Sequence, residues 1–378
     1  VYDVIVSGAG PSGSYLSHLL SKDGFKVLLL EEHREVGKPV ACSGLVSKRV
    51  FSFVRSRSEV NSVTGAVVHF PGGGTIRIGK PERTIVMDRD VFDRDAAGMA
   101  IASGADLHTE SRVVGVRTDS QGALVRFRER GSLREERANV VVGADGINSR
   151  VRRDLFGTRP SRIVTAYQVD AALEMEDQDS VEVFIGSEYS KGFFGWAIPS
   201  GRISRIGAGS YGFPAREHFR RIAEKIGATR ILGINGGAIP ISYLRRTYAD
   251  RALLVGDAAG ITKPLSGGGI FTGIVSSIHA SRTLREAFDL NRFDSTFLSR
   301  YERYWKKDIG RELWLDGVVQ KYFSSLSDRT LQSIHSILSS RRNVRTINRL
   351  GDIDFPSRVV IGLLLRNPSL AGHLMARR

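Results

Sequence analysis

The sequence predicts an α/β protein: an open parallel sheet with flanking helices, a second lobe on an inserted antiparallel sheet, and a helical C-terminal region. Three observations predict it. Residues 2–7 (YDVIVS) form an apolar run that ends at a glycine-rich turn, with a helical segment and a second apolar run behind it. From 163 to 248 the pattern changes to short strands, and at 252–255 the buried-strand pattern returns, which makes the first domain discontinuous in sequence. Beyond Gly269 the chain reads as helical to its end. The expected boundaries are 1–160 with 248–290 for the first domain, 161–247 for the inserted lobe, and 291–378 for the helical region.

The opening stretch explains itself residue by residue. The run 2–7 has the look of a parallel strand buried on both faces. It enters Gly8-Ala9-Gly10-Pro11-Ser12-Gly13, in which Gly8 makes the tight turn and Gly10 lets a pyrophosphate approach the backbone. Gly13 lets the helix pack close to the strand, and Pro11 stands where a first helical turn has no N–H partner to lose. The helical segment 14–22 and the strand 27–30 follow, and the strand is closed by Glu31, which can accept hydrogen bonds from an adenosine ribose. Strand, turn, helix, strand and acid in this order specify a Rossmann-type dinucleotide site, with the phosphates on the open N–H groups of the turn.

Residues 33–47 (HREVGKPVACSGLVS) read as a loop leaving the carboxyl end of the second strand, where open α/β sheets hold ligands. Strands are expected at 64–70 and 75–78 around Pro71-Gly72-Gly73-Gly74, a helix at 90–103, and a hairpin at 112–117 and 123–130. Residues 140–142 are a third buried strand running into Gly143-Ala144-Asp145-Gly146. In the inserted lobe the strands fall at 166–169, 181–185, 193–198 and 203–209, with a helix at 216–226.

A second constellation lies at 251–260 (RALLVGDAAG), followed by Pro264-Leu265-Ser266-Gly267-Gly268-Gly269-Ile270. Asp257, at the end of a buried strand, can accept hydrogen bonds from a sugar-alcohol chain such as the ribityl of a flavin; as a bare helix cap it would also be well suited. The helix expected at 270–281 aims its positive end at whatever lies before it, which fits a flavin pyrimidine edge, negative when reduced. A nicotinamide enzyme needs no such site so far along the chain, so FAD is the expected cofactor.

Composition narrows the partners. The 41% hydrophobic and 25% charged content is that of an ordered globular chain rather than a disordered one. One cysteine excludes an internal disulfide and a cysteine-based zinc site, and fits a reducing compartment. The first residues already form a strand, so no secretory leader is expected in them, and the apolar run 359–365 is too short to span a bilayer. The net charge of +15 favours an anionic partner or belongs to a plain arginine-rich surface. The densest basic group, Arg341, Arg342, Arg345 and Arg349, adjoins that apolar run and suits an anionic membrane better than a duplex groove. With no aromatic-interleaved basic stripe, a flavoprotein that mainly binds RNA is disfavoured and no nucleic-acid partner is expected.

These motifs resemble the FAD domain of the p-hydroxybenzoate hydroxylase superfamily: Gly8 to Gly13, Glu31, Arg89 within 87–93 (MDRDVFD), Gly143 to Gly146, and Gly256-Asp257. Within it the chain is similar to the geranylgeranyl reductase family in the cysteine loop 37–44 (GKPVACSG), in Gly256 to Gly260 with Gly267 to Ile270, and in Phe194-Gly195-Trp196-Ala197-Ile198-Pro199 leading to Gly207 and Gly209. The resemblance spans about 1–281. It departs where Phe194 and Ile198 replace a usual tyrosine and phenylalanine, and 195–199 (GWAIP) is also close to a signature of flavin-dependent halogenases, with one of its two tryptophans absent.

The resemblance implies FAD held by Gly8, Gly10, Pro11, Ser12, Gly13, Glu31, Cys42, Ser43, Gly44, Arg89, Val113, Asp145, Asp257, Gly268, Gly269 and Ile270. It implies a substrate wall of Phe193, Phe194, Trp196, Pro199, Gly207 and Gly209; Phe193 and Phe194 could equally be ordinary core. Cys42 and Trp196 are the catalytic candidates, Cys42 as a proton source or flavin-tuning group against a plain packing role. Arg89 either contacts FAD or pairs with Asp93 at the (i, i+4) spacing. The implied activity is reduction of isolated prenyl double bonds in geranylgeranyl chains of archaeal ether-lipid precursors, using hydride from reduced FAD. The alternative is a halogenase or monooxygenase acting on a small aromatic. No second dinucleotide fingerprint is present for a nicotinamide donor, so the electrons are expected from a ferredoxin or a reductase. A cytoplasmic protein peripheral to the inner membrane face is expected.

Overall fold

Tyr2–Ser7 is the strand on which the first sheet is built, and Val4, Ile5 and Val6 are wholly buried because neighbours cover both edges and both faces. It pairs in parallel with Val27–Leu30, Val4 opposite Val27, and with Ser132–Gly143, Val4 opposite Val140. Asp106–His108 and Ala252–Leu254 extend the sheet in parallel on either side. Ser111–Asp119 and Gly122–Glu129 form an antiparallel meander with the first part of Ser132–Gly143, whose apolar end then enters the parallel sheet. The structure, a computed structural model, describes residues 1–212, 214–368 and 370.

Helices Pro11–Lys22 and Ile270–Asp289 lay Leu16, Leu20, Ala280 and Leu284 on this sheet. Each fully buried aliphatic side chain of this kind stabilises the fold by about 1.5–3 kcal/mol. Helix Ser295–Trp305 belongs to the same core: Tyr301 donates to Leu254 O at 2.7 Å and Trp305 to Thr247 Oγ1 at 3.2 Å.

The second sheet runs in the order Ile231–Pro240, Ile163–Ala171, Ile203–Ser210, Gly195–Ser200, Ser180–Phe184, Glu59–His69, Thr75–Met87, Leu45–Ser47. All pairs are antiparallel except Ser180–Phe184 with Glu59–His69, which are parallel. Residues 45–87, read from sequence as part of the first domain, therefore hydrogen-bond into the second sheet. Their strands are also longer than the expected 64–70 and 75–78, because an arm of alternating, half-exposed residues continues the ladder past the apolar positions. Helix Ala215–Ile226 covers one face of the second sheet through Phe219 and Ile222. Helix Asp328–Leu338 packs Leu331 against Phe70, Ile76 and Ile185. Residues 371–378, expected to continue the helical region, lie outside the described residues.

Candidate functional site

One cavity of about 1240 Å³ lies between the carboxyl ends of the first sheet and one face of the second. It begins at the glycine-rich turn. Gly8 has φ +101°, and a Cβ there would stand 2.5 Å from Ala144 O, so the crossing of the first and third strands requires glycine. Gly13 lies against Gly8 O, where a Cβ would collide, and holds the helix to the strand without lining the cavity. A Cβ on Gly10 would meet nothing within 4 Å and would occupy the cavity space that the turn leaves open. Pro11 is the first residue of its helix, whose N-terminal turn has no side-chain cap, and Ser12 lines the wall beside it.

Glu31 is tied into the protein. Its Oε2 accepts from Ala9 N at 2.9 Å, and its Oε1 accepts from His33 N at 3.0 Å and meets His33 Nδ1 at 2.7 Å. His33, not singled out from sequence, thus orients the acid, and Oε2, with one partner, keeps room for a ribose hydroxyl. Asp145 Oδ2 accepts from Arg150 N at 2.7 Å, while its buried Oδ1 has no partner among the described residues. Burial pushes the Asp145 carboxyl up, against the pull of Ser149 and the backbone N–H groups. Asp257 is an open acceptor at the wall: Oδ1 lies 2.7 Å from where a Cβ of Gly269 would be, and among the described residues no protein donor reaches its carboxylate. Burial raises the Asp257 carboxyl and the Arg89 charge opposes that. A half-buried carboxylate at the cavity wall with free oxygens, as at Asp257, is what a polyhydroxylated ligand satisfies.

Arg89 does pair with Asp93, Nε to Oδ1 at 3.1 Å and Nη2 to Oδ2 at 2.9 Å. It also faces Cys42. Burial alone would lower the Arg89 guanidinium, but Asp93 and Cys42 hold it above its ordinary value. Gly44 N donates to Cys42 Sγ at 3.3 Å, and Gly44 itself, at φ +76°, lets Arg205 and Met87 O pass where a side chain would collide. Two residues missed from sequence fasten this loop to the second sheet. Gln168 Nε2 donates to Cys42 O at 3.0 Å, and Arg205 Nη1 donates to Ser43 O at 3.1 Å and Met87 O at 2.7 Å. Neither stands in a recognisable motif, and each strand carries other polar residues, so no sequence signal marks them.

The far wall is apolar. Phe193 and Phe194 are stacked with centroids 4.3 Å apart, and Trp196 meets Phe194 edge to face at 6.0 Å. All three line the cavity, together with Val181, Val183, Ile198 and Ile239. Pro199, Gly207 and Gly209, expected to face the substrate, do not line it. Gly207 and Gly209 leave room for the rings: a Cβ on either would stand 2.5 Å from Trp196 or Phe193. Pro199 gives its carbonyl to Asn61 Nδ2 at 3.0 Å. Gly44 is likewise a backbone support rather than a wall residue. Val113, Gly268, Gly269 and Ile270 do line the cavity.

The comparisons with known proteins agree with this geometry. Residues 1–304 match the model of the FAD binding domain family. The chain is 30% identical over 377 residues to digeranylgeranylglycerophospholipid reductase 2 of Methanothermobacter thermautotrophicus, covering 94% of this chain and 97% of that protein. The chain belongs to the digeranylgeranylglycerophospholipid reductase family. Among solved structures, the geranylgeranyl bacteriochlorophyll reductase-like protein of Thermoplasma acidophilum superposes with a TM-score of 0.89 at 25% identity, over 99% of this chain and 98% of that one. A halogenase in complex with FAD superposes with a TM-score of 0.68 at 15% identity, over 100% of this chain and 93% of that one, a likeness of fold alone. As a member of this reductase family the chain is a flavoprotein, and its open turn at Gly10 and free acceptor at Asp257 fit FAD.

Proposed function

We propose that the chain is an FAD-dependent reductase that saturates the geranylgeranyl double bonds of archaeal ether-lipid precursors. The observation that carries this is the continuity of one cavity from the phosphate-cradling turn at Gly10 to the aromatic wall at Phe193, Phe194 and Trp196. Bound FAD supplies the hydride chemistry when reduced. The chain's own residues bind and orient. Gly8, Gly10, Pro11 and Ser12 receive the phosphates, Glu31 the ribose, Asp145 and Asp257 the hydroxyls, and Gly268 to Ile270 with Val113 border the ring system. The apolar wall draws in a prenyl chain and excludes water, which an unpolarised alkene needs. One alkene carbon takes a hydride and the other a proton, so the double bond becomes a single bond between two hydrogenated carbons. We assign the proton donor to the Cys42 loop, held in place by Arg89, Gln168 and Arg205.

The remaining assignments follow from charge and chemistry. The functional division is a flavin lobe, 1–160 with 248–290 apart from the strands of 45–87, a substrate lobe, 161–247 with those strands, and the helices from 291. Electrons come from a ferredoxin or reductase. The protein works as a peripheral protein at the inner face of an anionic membrane: Arg341, Arg345 and Arg349 are exposed at helical spacing on Arg341–Leu350, and Leu365, 79% exposed, lies on the next helix. Among the described residues no helix is long and apolar enough to cross a membrane.

The test uses protein reduced under anaerobic conditions and mixed with a geranylgeranylated glycerophospholipid. The expected result is flavin reoxidation in step with product heavier by two hydrogens per double bond. Flavin that stays reduced until oxygen is admitted overturns the reading in favour of an oxygen-dependent halogenase or monooxygenase.

A further inference from the structure

Lys263, in the loop between Asp257 and the helix Ile270–Asp289, lines the cavity with a side chain only 6% exposed. Its Nζ donates to Ile353 O at 2.7 Å and Asp354 Oδ1 at 2.9 Å, and lies 3.3 Å from where a Cβ of Gly268 would be. A fixed cation is thus buried at the stretch of wall from which that helix starts without a side-chain cap. Asp316, on helix Arg311–Phe323, belongs to the same cluster. It is fully buried, and neither of its oxygens has a partner among the described residues. Glu312 faces it from its own helix and Lys263 from the loop. Asp354 also accepts from Arg49 at 3.1 Å, and Arg49 grips Asp352 with two bonds of 2.9 Å. With every group ionised, the carboxylates Glu312, Asp316, Asp352 and Asp354 outnumber the cations Arg49, Lys80 and Lys263 around them, and the buried carboxyl without hydrogen bonds is the one that gives up its charge.

We propose that Lys263 is a charge-setting residue for the flavin, and that Asp316 governs through its own protonation how much of that charge reaches the cavity wall at Gly268. The proposal rests on the FAD-binding reading above. Reduced flavin carries a negative charge that the oxidised form lacks, so a buried cation at this wall favours the reduced form. Protonated Asp316 leaves Lys263 facing Asp354 alone, a carboxylate it shares with Arg49, and ionised Asp316 adds a second negative charge that offsets it further. Burial pushes the Asp316 carboxyl up to about 8, within reach of ordinary pH.

The test is the midpoint potential of FAD bound to the full chain, measured by anaerobic dye equilibration, with absorbance confirming that the flavin is loaded. Lys263→Met is expected to weaken the preference for reduced over oxidised FAD about tenfold, which is about 30 mV for a two-electron couple; Lys263→Arg keeps the potential. Asp316→Asn is expected to hold the higher potential from about pH 6 to about pH 9, where the wild type falls more steeply than the variant. Coinciding potentials for Lys263→Met and wild type, both loaded, overturn the proposal. If Lys263→Met does not fold, an Asp316→Asn pH profile identical to wild type overturns it instead. A chain that binds no FAD fails the underlying reading. A chain that binds FAD and reduces prenyl lipid with unmoved potentials fails this inference alone.

Discussion

Gln168 accepts a hydrogen bond from the Trp196 indole N–H at 2.9 Å while its amide nitrogen donates to the Cys42 carbonyl at 3.0 Å. One side chain therefore fixes the aromatic wall and the cysteine loop relative to each other. Gln168 also donates to Asn235 Oδ1 at 3.0 Å, which sets the direction of its amide. Gln168→Leu leaves a buried indole N–H and a buried carbonyl without these partners, a cost of roughly 1–3 kcal/mol each where water cannot replace them. The expected outcome is a lowered Tm with FAD binding retained, and a turnover on prenyl substrate that falls more than the FAD affinity does. Thermal denaturation and flavin titration of the same preparation check it.

Much of the first lobe was legible because its signals are local. A strand buried along four consecutive residues, as in Tyr2–Ser7, writes its burial into the sequence, and Gly8 is dictated by backbone geometry at its own position. The network at Cys42 was not legible, because Gln168 and Arg205 reach the loop from strands more than a hundred residues away. The membership of residues 45–87 in the second sheet was hidden for a related reason: which sheet a half-exposed strand joins is decided by its partner and not by its own pattern. Lys263 carries no signature at all, and its importance appears only when Ile353 and Asp354 return to it.

Gly10 separates ligand binding from folding. Since a Cβ there meets no protein atom within 4 Å, Gly10→Ala is expected to leave the apoprotein's stability within about 1 kcal/mol of wild type while weakening FAD affinity by about tenfold or more. Gly13→Ala is expected to do the reverse: the collision with Gly8 O destabilises the fold before any ligand is present. Apoprotein melting curves beside FAD titrations distinguish the two, and equal behaviour of both variants would contradict the assignment.

Gly207→Ala tests the aromatic wall. The new methyl would stand 2.5 Å from the Trp196 ring and 2.8 Å from Tyr167 O, so the indole must move. Overpacking of this kind costs roughly 1–3 kcal/mol. Tryptophan fluorescence is expected to shift, and the KM for prenyl substrate to rise with FAD binding unaffected.

Asp316 makes stability pH-dependent with a definite sign. Its carboxyl titrates at the ordinary carboxylate value when unfolded and at about 8 when folded. Between those values the folded state holds a proton that the unfolded state has lost, so raising the pH favours unfolding; the loss is complete above the folded value. The penalty in the wild type near pH 8 is on the order of a few kcal/mol. Asp316→Asn is expected to be more stable than wild type at neutral and alkaline pH and to converge with it near pH ~4. Denaturant unfolding across that range measures it, and parallel curves would refute the burial of an unpartnered carboxyl.

A packing role and a chemical role for Cys42 predict different readouts. Its sulfur accepts from Gly44 N at 3.3 Å and faces the Arg89 guanidinium, so both a thiol and a hydroxyl can be oriented at this point. If the loop supplies the proton, Cys42→Ala lowers the rate at which prenyl substrate reoxidises reduced flavin by about 10²–10⁴-fold. Reoxidation by a small one-electron acceptor, which needs no proton at carbon, stays unchanged in the same variant. Cys42→Ser restores part of the prenyl rate. A sulfur used only for packing gives the opposite pattern: Tm falls in Cys42→Ala, and both reoxidation rates are spared. Stopped-flow traces with the two acceptors decide between them, since the fold, the flavin and the apolar wall are common to both measurements and only the delivery of the proton differs.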